Sequence, residues 1–209
     1  MNANNLRLYL VMGSQDCPNQ NPVEVLQQAI QGGITCFQFR EKGSALSLRE
    51  TVQLGKRLKQ ICDEFQIPFI VNDRVDLAMI LEATGVHIGQ EDLPADEVRR
   101  LLGPERVIGV SAETPAEAIQ AVKDGANYIG VGPMFSTSSK PDAGQPIGPE
   151  AIRIIRTHVD IPIVGIGGIT AERASLVTQA GAEGVAVISA ITKATHPEQA
   201  AKEFLRHLA

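Results

Sequence analysis

An α/β chain of eight successive βα units, closed as a single-domain (β/α)8 TIM barrel, is the fold class the sequence predicts, on three observations. Short apolar, β-branched runs alternate with amphipathic helical stretches from one end to the other. The alternation continues evenly through eight units. No G-x-G-x-x-G follows the first run, which removes the main signal for the competing open, doubly wound sheet. With 209 residues and 44% hydrophobic content the chain can bury one core. That length is close to the lower limit of about 200 residues for such a barrel, so residues 1–209 are expected to form one domain.

The expected strands run from Arg7 to Met12, Thr35 to Phe39, Phe69 to Asn72, Gly85 to Gly89, Val107 to Ser111, Tyr128 to Gly132, Ile163 to Gly167 and Gly184 to Ser189. Each is followed by a helix candidate. Ser47-Leu-Arg-Glu50 and Thr114-Pro-Ala-Glu117 read as capping boxes, the second with proline at the first helical position. Gly32-Gly33, Gly125 and Gly181 stand where a left-handed helix C-cap favours glycine before the next strand.

A net charge of -5 without a long basic run gives no support to a nucleic-acid or anionic-membrane partner, so any bound anion must be held locally. Cys17, Cys36 and Cys62 are odd in number and lack C-x-x-C spacing, which argues against a disulfide framework or a zinc site and fits a reducing cytosol. Met1 to Asn5 carry no basic n-region leading into an apolar core, and no stretch nears the roughly 18 apolar residues of a membrane span. A soluble cytoplasmic protein acting on small molecules is expected, and the sequence leaves a homo-oligomer open.

In such a barrel the reactive groups collect at the C-terminal ends of the strands. There the chain carries Gln38-Phe-Arg-Glu-Lys42, Asn72-Asp73, Gln90-Glu-Asp92, Ser111 and Thr137-Ser-Ser-Lys140 in turn. Gln38, Arg40 and Lys42 alternate, and since a barrel has no free edge their shared face points into the mouth. Asn72 and Asp73 could instead cap the helix that begins near Val75, and Asp92 invites the same bland reading. Otherwise Asp73 and Asp92 are the two carboxylates suited to an octahedral magnesium site completed by substrate phosphate and water, with Glu91 a nearby spare. Gly165-Ile-Gly-Gly-Ile169, paired with Ser189 one strand later, stands where these barrels build a phosphate site from exposed backbone N–H groups. His87 lies inside the fourth strand and reads as structural, and the other histidines fall in helices or loops.

Seven strings taken in order, Gln38-Phe-Arg-Glu-Lys42, Val71-Asn-Asp73, His87-Ile-Gly-Gln-Glu-Asp92, Gly109-Val-Ser-Ala112, Gly130-Val-Gly-Pro133, Gly165-Ile-Gly-Gly-Ile169 and Val187-Ile-Ser-Ala-Ile191, resemble thiamine phosphate synthase over nearly the whole chain. The resemblance implies a magnesium-dependent transferase that joins a pyrimidine diphosphate to a thiazole ethyl phosphate. It implies diphosphate binding by Gln38, Phe39, Arg40, Glu41, Lys42, Asn72, Ser111 and Lys140, with Arg40, Lys42, Ser111 and Lys140 catalytic and magnesium on Asp73 and Asp92. Thiazole phosphate would sit against Thr137, Ser138, Ser139, Gly168, Ile188 and Ser189. Where the family often has Thr-x-Thr before the lysine, this chain has Thr137-Ser-Ser139, which keeps both hydroxyls and loses a methyl.

The residues suit charge neutralisation and exclusion of water rather than covalent catalysis. The segment from Ser136 to Pro149 is the longest connection and is read as a lid. Two rivals remain. A thiazole tautomerase would need no diphosphate or metal machinery but would want a general base, commonly a histidine, which this reading does not find at a strand end. A ligand sensor would have no use for Asn72, Asp73, Asp92 and Lys140 together.

Overall fold

A computed structural model describes residues 3–139 and 144–208. Lys140 lies outside the described residues, as does part of the segment read as a lid. Eight parallel strands close into a barrel in sequence order: β1 Leu8–Met12, β2 Cys36–Phe39, β3 Phe69–Asn72, β4 Gly85–Ile88, β5 Val107–Ser111, β6 Tyr128–Val131, β7 Ile163–Ile166 and β8 Gly184–Val187. β8 returns to β1 with Tyr9 beside Ala186, so no edge is left for another chain to pair with. Around it run α1 Pro22–Gln31, α2 Leu48–Glu64, α3 Val75–Ile80, α4 Ala95–Leu102, α5 Pro115–Lys123, α6 Gly148–Arg156, α7 Ala171–Thr178, α8 Ser189–Thr192 and α9 Pro197–His207.

Local chemistry explains the boundaries. Both capping boxes form: the Ser47 and Thr114 hydroxyls accept the Glu50 and Glu117 N–H groups, and each glutamate reaches back to its cap residue. The left-handed positions fall on Gly33, Gly125 and Gly181, whereas Gly32 is right-handed. Six strands are shorter than the sequence suggests: β1 and β2 begin one residue later, at Leu8 and Cys36, and β4, β6, β7 and β8 end at Ile88, Val131, Ile166 and Val187, before Gly89, Gly132, Gly167 and Ser189. Gly89 lies outside β4, and its N–H donates to the Asp92 carboxylate at 2.7 Å. Ser189 begins α8 instead of ending β8, because the chain turns at Ile188 and Thr192 N–H donates back to the Ile188 carbonyl.

Alternation along the strands sorts side chains into two layers. Phe37, Phe39, Phe69, Val71 and Ile129 face outward against the helices, sharing a core with Leu26, Leu58, Ile152 and Val177. Tyr9, Cys36, Ile70, Val107, Tyr128, Val164 and Ala186 fill the barrel itself. The three cysteines are free and buried, and burial pushes the Cys17 thiol up to about 12 and the other two higher as well, so none is a ready thiolate.

The inner layer depends on paired large and absent side chains. Gly109 on β5 stands between His87 of β4 and Tyr128 of β6 in the hydrogen-bonded register. A Cβ there would lie 2.2 Å from the Tyr128 ring. Gly109→Ala is therefore expected to cost about 1–3 kcal/mol of stability, the usual range for overpacking, read as a lower urea midpoint.

Candidate active site

Inward parity carries straight from the barrel floor to its mouth. On β2 it runs Cys36, Gln38, Arg40, and both Gln38 and Arg40 are buried, at 3% and 5% exposed. The opposite parity turns Phe39 and Glu41 away. The Phe39 ring packs on Phe69, 6.1 Å between centroids, and Glu41 accepts the Ser14 N–H at 2.9 Å together with the Ser14 hydroxyl. Of the five residues from Gln38 to Lys42, Phe39 and Glu41 thus hold the second strand and the loop after β1 in place, Gln38 donates to the Tyr9 hydroxyl inside the barrel, and Arg40 and Lys42 line the mouth.

Asp73 follows β3 with φ 57°, a left-handed conformation that costs energy outside glycine, asparagine and aspartate. Its N–H donates to the His87 carbonyl at 2.8 Å, and its carboxylate accepts the Lys42 ammonium at 3.1 Å. Neither Asn72 nor Asp73 caps α3, and the helix after Asp92 has no side-chain cap either. The bland reading of these residues as caps is therefore not what the structure shows. Burial pushes the Asp73 carboxyl above its ordinary value, the Lys42 ammonium pulls it back, and the neighbouring Asp92 carboxylate raises it again. Two carboxylates close enough to oppose each other's charge are a fit for one hard cation. Among the described residues no group of three or more His, Cys, Asp or Glu side chains could hold a metal, so other ligands would have to come from substrate and water.

Two cavities open at this end of the barrel. One, of 200 Å³, is lined by Ser111, Thr137, Ser139, Gly168, Ile188 and Ser189 among others. The other, of 440 Å³, lies over Arg40 and Lys42 and is completed by Gln15, Asp16, Ser138 and Lys193. They share Ser139 and Ser189, whose hydroxyls are hydrogen-bonded at 2.8 Å. Ser111, grouped in the sequence with the diphosphate residues, lines the same cavity as Thr137 and Gly168. Gly168 has φ 63°, and a Cβ on it would meet the Ser136 carbonyl at 2.4 Å, so its lack of a side chain lets the loop after β6 fold down over β7.

The sequence reading missed several residues. Asp16 follows the end of β1 by four residues and Lys193 follows the short helix α8, and burial raises the Asp16 carboxyl while its bond from the Gly13 N–H and the Arg40 guanidinium lower it. His87, read as structural, is held in β4 by bonds that reach a residue of the mouth. Nε2 lies 3.0 Å from the Ser111 hydroxyl and Nδ1 3.0 Å from the Tyr128 hydroxyl, and Tyr128 meets Tyr9, which accepts from Gln38. The parity of β4 was the available signal, since His87 pairs in register with Asn72 and Gly109 on the inward face.

Known proteins share this chain's sequence pattern and fold. A family model described as thiamine monophosphate synthase matches residues 8–191. The thiamine-phosphate synthase of Moorella thermoacetica is 50% identical over 195 residues, 93% of this chain and 92% of that one. That of Geobacillus kaustophilus is 48% identical over 199 residues, covering 94% and 89%. Among solved structures, a thiamine phosphate pyrophosphorylase from Pyrococcus furiosus superimposes with a TM-score of 0.88 at 37% identity, covering 99% of this chain and 96% of that one. A 3-hexulose-6-phosphate synthase, at 16% identity and TM-score 0.72, shares the fold.

Proposed function

The chain belongs to the thiamine monophosphate synthase family, and we propose on that basis how its barrel mouth performs the reaction. It condenses 4-amino-2-methyl-5-hydroxymethylpyrimidine diphosphate with a thiazole ethyl phosphate, giving thiamine phosphate and pyrophosphate. Carbon dioxide is released in addition when the thiazole is carboxylated. The observation that supports the mechanism is the pair of cavities joined at the Ser139 and Ser189 hydroxyls, one under the glycine-rich turn after β7 that takes in Ser111 and one over Arg40 and Lys42 that takes in Ser138, so that two substrates held there would meet at the seam.

Diphosphate is held by Arg40, Lys42, Lys140 and Asn72, with Ser111 donating from its hydroxyl. As the carbon–oxygen bond to the pyrimidine methylene breaks, the charge gathering on pyrophosphate is met by these fixed donors, which need not reorganise. The aminopyrimidine bears the resulting cation, and the thiazole nitrogen attacks it. Thr137, Ser138, Ser139, Gly168, Ile188 and Ser189 hold the thiazole phosphate so that its ring faces the methylene, which converts a bimolecular step into an oriented one. Asp73 and Asp92 would hold magnesium, which neutralises the leaving group when bound. Exclusion of water by the loop after β6 protects the cation.

Lys140→Ala is expected to slow turnover at least about tenfold, a loss of roughly 1.4 kcal/mol, and unchanged kinetics would remove Lys140 from the diphosphate site. Calorimetry tests the division into two sites. Thiazole phosphate should bind with or without magnesium, and inorganic pyrophosphate should bind well only with it. Competition between the two ligands would overturn the division.

A further inference from the structure

A continuous line of hydrogen bonds runs through the centre of the barrel, and its direction can be read. Gln38 Nε2 donates to the Tyr9 hydroxyl at 2.8 Å, and the Tyr9 and Tyr128 oxygens are 2.9 Å apart. Tyr128 then meets His87 Nδ1 at 3.0 Å, and His87 Nε2 meets the Ser111 hydroxyl at 3.0 Å. Burial raises both phenols well above their ordinary range, so each keeps its single proton. The space is made by glycine: a Cβ at Gly109 would lie 2.2 Å from the Tyr128 ring, and one at Gly130 would lie 3.0 Å from His87 Cε1.

Each hydroxyl has one hydrogen to give. Tyr9 already accepts from Gln38, so its own hydrogen goes either to Tyr128 or to the neighbouring Cys36 sulfur, a much weaker acceptor. Tyr128 is the better partner. With an incoming hydrogen from Tyr9, Tyr128 gives its own to His87 Nδ1, which must offer a lone pair there. The imidazole hydrogen is then on Nε2 and is donated to Ser111 Oγ.

We propose that His87 is a positioning residue: by donating from Nε2 to Ser111, it leaves the Ser111 hydroxyl hydrogen free to point at an anion in the mouth. Reversed, the line would turn a serine lone pair toward that anion. The inference rests on the diphosphate-binding reading of Ser111 given above and deepens it. It also assigns a task to Tyr9 and Tyr128, which sit beneath the substrate-binding loops and fix the direction of the line.

The first test reads the imidazole directly, by nitrogen NMR of the ligand-free full-length protein labelled in histidine. The expected signature is a protonated Nε2 and an unprotonated Nδ1 on His87. A proton on Nδ1 overturns the proposal, whatever the activity. In Tyr128→Phe the donor to Nδ1 is gone, so the Nδ1-protonated tautomer should become populated. The KM for the pyrimidine diphosphate should then rise at least about fivefold, the scale of one hydrogen bond, with the KM for thiazole phosphate held within about twofold. His87→Gln can place an amide N–H where Nε2 stands, and it should retain more diphosphate affinity than His87→Leu. Equal losses in these two variants would make His87 a packing residue only. If wild-type protein turned over no pyrimidine diphosphate, the reading of function would fail while the tautomer remained measurable.

Discussion

Asp73→Asn is expected to lower kcat/KM for the pyrimidine diphosphate by at least about a hundredfold, or about 2.7 kcal/mol of transition-state stabilisation, with the fold intact. The substitution keeps the shape and removes one charge. Asparagine tolerates the left-handed φ of 57° nearly as well as aspartate. The structural bond at this position comes from the backbone, Asp73 N–H to the His87 carbonyl, and so survives. Since the side chain caps no helix, burial disfavours its charge, and the lost Lys42 pair is solvent-exposed on the lysine side, stability should change by less than about 1 kcal/mol. What is lost, on the proposed mechanism, is half of the carboxylate pair that would hold the metal against the leaving group. Raising magnesium should recover part of the rate. A variant with normal kinetics would separate Asp73 from the metal and from the diphosphate alike.

The second large effect lies across the mouth. Gly168→Ala is expected to raise the KM for thiazole phosphate at least about thirtyfold, equivalent to roughly 2 kcal/mol. The new methyl would stand 2.4 Å from the Ser136 carbonyl and 2.7 Å from the Phe135 carbonyl, both backbone atoms with no rotamer to escape into. The left-handed φ adds strain of about 1–2 kcal/mol for alanine. Relief requires the loop after β6 to lift, and that loop carries Thr137, Ser138 and Ser139. Magnesium-dependent binding of pyrophosphate should suffer less, because Arg40 and Lys42 line the other cavity and lie on the loop after β2, not on the displaced segment. Steady-state kinetics with each substrate varied in turn separates the two effects.

Much of this was legible in the sequence because barrel strands are short, fully buried and spaced by capped helices. The Ser47 and Thr114 boxes and the glycines at 33, 125 and 181 mark the joints, and closure follows from eight even units. Strand ends were less legible. A run such as Val187-Ile-Ser gives no local sign that the chain turns at Ile188 and that Ser189 opens a helix. Within the site, charge and polarity identified the strand-end residues, alternation put Gln38, Arg40 and Lys42 on one face, and Phe39 and Glu41 entered only through the family resemblance. Phe39 and Glu41 belong to the same string as Gln38, Arg40 and Lys42, yet period-two alternation sends them to the helix layer and to Ser14. His87 does lie within β4 as read, and only its bonds to Tyr128 and Ser111 were hidden in the sequence. A histidine within an apolar strand looks like core until Gly109 and Gly130 are seen to vacate the space around it and Tyr128. Asp16, four residues past the end of β1, was within reach of the strand-end rule, whereas Lys193 lies beyond the short helix α8 and reaches the mouth only through the fold of that turn.

The central claim is that one barrel mouth joins two phosphorylated rings and expels pyrophosphate with help from a metal on Asp73 and Asp92. The most direct measurement mixes purified protein with both substrates, with and without magnesium, and follows thiamine phosphate and pyrophosphate together. Equal amounts of the two products, formed only when both substrates and the metal are present, are the predicted result. Folded protein that forms neither product, or forms them equally well after the metal is chelated, would contradict the account.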